Sequence, residues 1–209
     1  MARSARLIRV CVRVGHSCGG MRIFIGGVSC VGKTTIGAGL ADLLARRFYD
    51  LDAEVQRHFG TSIERLQQSH PTLDGYRRDV AQALQHLLLS RAESRNCVIA
   101  LPPSGLMGPC WKVVQRMQDA FVVVLIDIPE NILERITFYD IDSRPVNKVL
   151  GDDERLYYLQ EIRKDIRYFK RSWRNANLVV DIAGCSDAED AAGRVLDALP
   201  PHVLTESTS

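Results

Sequence analysis

From Met21 onward, short apolar runs alternate with longer stretches whose apolar residues recur at helical spacing. The runs Arg22–Gly26, Arg47–Leu51, Cys97–Leu101, Phe121–Asp127 and Asn177–Ile182 read as strands. Between them, Ile36, Leu40, Leu43 and Leu44 define one helical face, and Tyr76, Val80, Leu84, Leu87 and Leu88 define another. A further helix beginning near Asp152 carries Leu156, Leu159, Ile162, Ile166 and Phe169. The last helix is expected to open at Ser186, with Glu189 three residues on completing a capping box. Strands alternating with helices predict an α/β domain, a parallel sheet with helices on both faces. No repeat, low-complexity tract or linker divides it, so residues 21–200 read as a single domain, and 201–209 as a frayed C-terminus.

Composition narrows the class. The chain has 209 residues, 46% hydrophobic and 25% charged, close to globular averages. No apolar run approaches the roughly 18 residues of a membrane span. With 27 Lys and Arg against 25 Asp and Glu, charge alone gives no reason to expect nucleic-acid binding. The charge is uneven: residues 1–20 hold Arg3, Arg6, Arg9 and Arg13 and no acid, which leaves the rest slightly acidic. Arg9 and Arg13 interrupt what would be the apolar stretch of a secretory signal, and this segment reads as a disordered basic tail, the alternative being a short Arg-rich presequence. Six cysteines without a CxxC pair read as reduced thiols of a cytoplasmic protein. His58, His70 and His86 have no partner at metal-ligand spacing, and Trp111 and Trp173 read as packing residues.

The chemistry is concentrated after the first strand. Gly27-Val28-Ser29-Cys30-Val31-Gly32-Lys33-Thr34 matches GxxxxGK[ST] between a strand and a helix, the context that makes the pattern a phosphate loop. Its glycines let backbone N–H groups turn toward a phosphate, and the helix directs its positive end at the same anion. Lys33 then bridges β- and γ-phosphates, the Thr34 hydroxyl ligates Mg²⁺, and Thr35 continues the nucleotide site. Cys30 reads as a small packing residue, the alternative being a thiol activated by the site's positive field. Some twenty residues on, Asp50-Leu51-Asp52 ends the second strand. Strand periodicity would put both carboxylates on one side, at the strand's carboxyl end where open α/β sheets bind ligands. One acid can hold Mg²⁺ through water, and the other can take a proton from an attacking hydroxyl.

Over residues 22–66 these elements resemble the shikimate kinase family of small P-loop kinases: the phosphate loop, Phe48-Tyr49-Asp50-Leu51-Asp52, and Gly60-Thr61-Ser62-Ile63 opening a helix. Tyr76-Arg77 is similar to the family's Phe-Arg, Arg144-Pro145 to the Arg-Pro of its mobile lid, and Arg135 falls where an arginine precedes that lid. The resemblance implies a three-layer P-loop kinase fold with a five-stranded parallel sheet and a lid at about 138–150. By it, Asp52 is the base beside the acceptor hydroxyl, Asp50 positions Mg²⁺, Arg77 holds a substrate carboxylate, and Arg144 neutralises the migrating phosphoryl group. The implied ligands are ATP, Mg²⁺ and a small hydroxylated, carboxylated metabolite, bound by a monomer.

The sequence also departs from that pattern. Where the family carries three glycines after the third strand, this chain reads Ala100-Leu101-Pro102-Pro103-Ser104-Gly105. Ser104 and Gly105 remain candidate acceptor contacts, but the prolines remove amide donors and fix φ. Val80 stands where the family places the acid that orients its arginine, and Arg163, Arg167, Lys170 and Arg171 crowd the position of a further one. Asp127, ending the fourth strand before Pro129, reads as a strand-end cap, the alternative being a group that reaches the phosphate site. The leading expectation is an ATP-dependent kinase of a small-molecule hydroxyl. The alternatives are a gluconate-type or nucleoside-type kinase on the same fold, or a non-catalytic nucleotide switch.

Overall fold

The computed structural model describes residues 20–90 and 92–204. The expectations for the basic tail, and for the segment after 204, lie outside these residues. Five strands, β1 (Arg22–Gly26), β2 (Arg47–Asp50), β3 (Cys97–Ala100), β4 (Ala120–Ile126) and β7 (Leu178–Asp181), form one parallel sheet in the order β2-β3-β1-β4-β7. The hairpin β5 (Phe138–Tyr139) and β6 (Pro145–Val146) stands apart, within the segment expected to be a lid.

The inner strands β1, β3 and β4 are buried on both faces because both are covered, while the edge strands β2 and β7 keep exposed positions. Along β1, Ile23 and Ile25 enter one core and Phe24 the other; along β4, Phe121, Val123 and Leu125 alternate with Val122 and Val124. The first core lies against α1 (Lys33–Leu43), α7 (Asp152–Phe169) and α8 (Ala188–Ala198). The second lies against α2 (Leu51–Phe59), α3 (Ile63–Gln68), α4 (Leu73–Ser90) and α5 (Gly108–Val114). A short α6 (Pro129–Glu134) follows β4 and packs on α7. Trp111 and Trp173 are half-buried against these cores, as expected of packing residues.

Two local expectations are corrected. The N-cap of α8 is Asp187, not Ser186: its carboxylate accepts from Asp190 N at 2.9 Å, and Asp190 in turn accepts from Ser186 N at 2.9 Å. Residues 201–204 do not fray. They form a helical turn, α9 (Pro201–Leu204), because Val203 is fully buried and its carbonyl accepts from Arg46 Nη2 at 2.6 Å. A buried contact of that kind holds a chain end that composition alone marks as loose.

β1 is flanked by β3 on one side and β4 on the other, and the chain reverses direction across the sheet at that strand. The crevice beyond its carboxyl end is the topological switch point, where ligands of such sheets bind.

Candidate active site

The loop from Gly27 to Gly32 joins β1 to α1 at that crevice. Gly27 has φ 142° and Gly32 has φ 102°. A Cβ on Gly27 would lie 2.7 Å from the Leu125 carbonyl oxygen, so the loop's tight return over β4 requires glycine there. Cys30, half-buried, also takes a left-handed conformation at φ 57°. Gly32 caps α1 without a side-chain bond, and no acid occupies the first turn. The positive end of α1 is therefore left for an external anion.

Lys33 curls back, and its Nζ donates to the Val28 carbonyl at 2.7 Å. Burial lowers its pKa to about 8, against the opposing pull of Asp52, then Cys30 and Asp50. The Thr34 hydroxyl donates to Asp50 Oδ2 at 2.6 Å.

The two acids come together by a route that strand periodicity does not describe. β2 ends at Asp50, and Leu51 already begins α2. Asp50 is the N-cap: its Oδ1 accepts from Asp52 N at 2.9 Å and from Ala53 N at 3.5 Å. Capping turns the first helical turn so that the Asp52 carboxylate sits beside Lys33 and Asp50, whose charges act on it. Burial pushes Asp52 up to about 6, with Asp50 raising it further, Lys33 opposing, and Glu64 adding a smaller like-charge effect. Among the described residues, Asp52 Oδ1 is buried without a hydrogen-bond partner. An orphaned buried acceptor at a crevice is costly unless a ligand donor meets it.

Behind Asp52 lie Tyr76 and Cys110. Burial and the Asp52 charge raise the Tyr76 phenol, and burial followed by the same charge pushes the Cys110 thiol to about 12. Neither group titrates near neutrality, so together they present uncharged groups to Asp52. Val80, one turn beyond Tyr76, is buried in the second core, which explains why no acid stands there. Arg77 is held instead by Asp74 Oδ1 at 3.1 Å and by the Tyr168 hydroxyl of α7 at 3.3 Å.

After β3, Pro102 to Leu106 form a turn in which Gly105 N donates to the Pro102 carbonyl at 2.8 Å and Met107 N to the Ser104 carbonyl at 3.0 Å. Gly105 is buried, and a Cβ there would meet Leu101 Cβ at 2.6 Å. Its amide is spent inside the turn, which leaves the half-buried Ser104 as the side chain this loop offers.

Asp127 at the end of β4 caps the backbone, accepting from Ile128 N at 2.7 Å, and it also binds Asn131 and pairs with Arg135. Arg135 and Asn131, with Thr35 and the turn Cys185-Ser186 after β7, line a cavity of about 420 Å³ beside the phosphate loop. The β7–α8 turn was not among the sequence candidates. Its place after the carboxyl end of a parallel strand was the available signal. Arg144 sits exposed in the β5–β6 turn.

A family model described as Shikimate kinase matches residues 29–199. The chain belongs to the shikimate kinase family. It is accordingly an ATP-dependent small-molecule kinase. It is 34% identical over 129 residues to a shikimate kinase of Aquifex aeolicus, covering 61% of this chain and 71% of that one. It is 29% identical over 190 residues to one of Synechococcus sp., covering 90% and 88%. Among solved structures, shikimate kinase from Acinetobacter baumannii in complex with shikimate aligns with a TM-score of 0.67 at 26% identity, over 86% of this chain and 92% of that one. The five-stranded parallel sheet with its surrounding helices is the fold of those neighbours. A gluconokinase from Sinorhizobium meliloti, at 18% identity and TM-score 0.51, shares the fold alone. Among the described residues, no helix is long and apolar enough to cross a membrane.

Proposed function

We propose that this kinase transfers the γ-phosphoryl group of ATP to a hydroxyl of shikimate, or of a closely related carboxylated polyol, with Asp52 as the acceptor base. The observation that carries the reading is the buried, unpartnered Asp52 Oδ1 beside Lys33, a site that needs a hydroxyl donor. In this reading the acceptor oxygen attacks the γ-phosphorus, its proton passes to Asp52, and the bond from the γ-phosphorus to the bridging oxygen breaks to release ADP. The loop residues Gly27 to Thr35 cradle the phosphates, Lys33 exchanges the Val28 carbonyl for β- and γ-phosphate oxygens, and the lid arginine Arg144 offsets the migrating charge.

Thr34 and Asp50 fit Mg²⁺: both are hard oxygen donors, already converging. Among the described residues, no cluster of three or more His, Cys, Asp or Glu offers a full protein cage. Mg²⁺ suits such a sparse site, because it keeps several waters and takes phosphate oxygens. It would neutralise charge on the phosphates. Arg77, with Tyr168 as a neutral partner and a surface Asp74, keeps positive charge for a carboxylate. The cavity lined by Thr35, Asn131, Arg135, Cys185 and Ser186 is the place for the nucleotide base.

One observation favours an acceptor other than shikimate: the Pro102–Gly105 turn has few free amide donors. The deciding experiment is acceptor-dependent ADP release by the purified protein with ATP and Mg²⁺, comparing shikimate with a panel of carboxylated polyols. Release with shikimate supports the first reading. Release with another carboxylated polyol only keeps the kinase reading with Asp52 as base but moves the acceptor away from shikimate, and ATP turnover indifferent to every acceptor removes the reading.

A further inference from the structure

The turn of the lid hairpin is tied to α3 by four polar contacts. The Ser62 hydroxyl, at the N-cap of α3, donates to the Ile141 carbonyl. The Ser143 hydroxyl accepts from Ile63 N at 3.3 Å and donates to the Glu64 carboxylate. Arg65 Nε donates to Asp142 Oδ1 at 2.8 Å. Partners some 77 to 80 residues apart in sequence therefore meet within one turn of each element.

The turn itself is stiff. Asp140 Oδ1 accepts from Asp142 N at 2.8 Å and Arg144 N at 2.9 Å, while Asp140 N donates back to the Arg144 carbonyl at 2.9 Å. Ser143 sits between them at φ 57°. With the turn closed on itself in this way, fixing Ser143 fixes the backbone of Arg144.

The four contacts are not equal. Arg65 and Asp142 are both exposed, and such surface pairs contribute little. Ser143 and Glu64 are half-buried, and a hydroxyl donating to a carboxylate is the stronger, charge-assisted kind. Glu64 also faces inward: its charge acts on both Asp52 and Tyr76. One carboxylate thus touches the lid and lies within electrostatic reach of the acceptor base.

We propose that Ser143 and Glu64 form a latch that holds the lid against α3 and thereby positions Arg144 over the phosphoryl-transfer site. This rests on the kinase reading above, in which Arg144 acts on the migrating phosphoryl group. Ser143 and Glu64 are positioning residues, since they act through the arginine. Opening of this latch admits an acceptor, and its re-forming encloses the acceptor and excludes water from the reaction.

The test has an arm that needs no turnover. Hydrogen exchange of residues 138–150 in the ligand-free protein should accelerate about tenfold or more in Ser143→Ala, the weight of one hydrogen bond to a charged group. Glu64→Ala should give a similar increase, and the double variant little more than either. In the second arm, Ser143→Ala should lower kcat about tenfold with the KM for ATP unchanged, and raise ATP hydrolysis by water. In an Arg144→Ala background it should lower kcat no further. Unchanged lid exchange, or additive exchange effects of the two substitutions, would overturn the latch. A loosened lid with full kcat would overturn the positioning role. A loosened lid in a protein that phosphorylates no acceptor would defeat the kinase reading and the role of Arg144 together, leaving the contact itself demonstrated.

Discussion

The Thr34 hydroxyl and the Asp50 carboxylate bond directly to each other at 2.6 Å, although they come from the start of α1 and the end of β2. Both carry hard oxygen donors of the kind the proposed Mg²⁺ site needs, and Asp50 also caps α2 through its other oxygen. Asp50→Asn should therefore have two effects. The Mg²⁺ concentration needed for half-maximal turnover should rise about tenfold, because a charged ligand is lost. Stability should fall by no more than about 1 kcal/mol, because Asn is as good an N-cap as Asp. Turnover measured against Mg²⁺, with a thermal melt alongside, checks both, and an unchanged Mg²⁺ requirement removes Asp50 from the metal site.

Lys33→Ala should abolish turnover and weaken ATP binding at least tenfold, since it deletes the cation at the β- and γ-phosphates. In the native protein Lys33 loses its proton near pH 8. ATP affinity should accordingly decline as pH rises above about 8, a decline that calorimetry should find missing in the alanine variant.

Asp52→Asn should cost roughly 10²–10⁴ in rate while leaving ATP binding nearly intact. In the native enzyme, kcat/KM for the acceptor should fall as pH drops through about 6, where the base becomes protonated. Stability runs the other way. Because its pKa is raised from 3.8 to about 6 in the folded state, Asp52 contributes stability that is fully present below 3.8 and is lost as pH rises through about 6. At pH 7.5 the buried charge is a burden, and Asp52→Asn should melt a few degrees higher than the native protein. A lower melting temperature for the variant at that pH would contradict the assignment of a strained, buried carboxylate.

The turn after β3 predicts reduced efficiency on shikimate. Pro102 and Pro103 have no amide to donate, and Gly105 N is already bonded to the Pro102 carbonyl. A site matched to several hydroxyls discriminates strongly when donors are missing. Shikimate turnover should therefore fall below the ordinary enzyme range of about 10⁴ M⁻¹s⁻¹ in kcat/KM. Replacing Pro102-Pro103-Ser104 by three glycines should raise it. A native value at or above that range would show that the turn is no handicap.

Val203, fully buried although six residues from the C-terminus, should behave as a core residue. Val203→Ala should cost about 1–3 kcal/mol in denaturant unfolding, by lost burial and the cavity left behind. A change within a few tenths of a kcal/mol would mean that α9 is loosely held.

Much of this protein was legible in its sequence because the relevant signals are local. The strand cores, the helical faces, Gly27 to Thr34 and the pairing of Asp50 with Asp52 each depend on spacings of a few residues, which backbone geometry converts directly into position. Even there the mechanism differed, since a helix cap and not strand alternation brings Asp52 to Lys33. What the tertiary structure alone decided involves partners far apart in the chain. Tyr168 accepting from Arg77, Arg46 holding the last helical turn, and Ser143 meeting Glu64 are single contacts between separate elements. A polar side chain carries no periodic mark of its distant partner. Which one it meets is settled only when the helices pack on the sheet and their ends are brought to the same crevice.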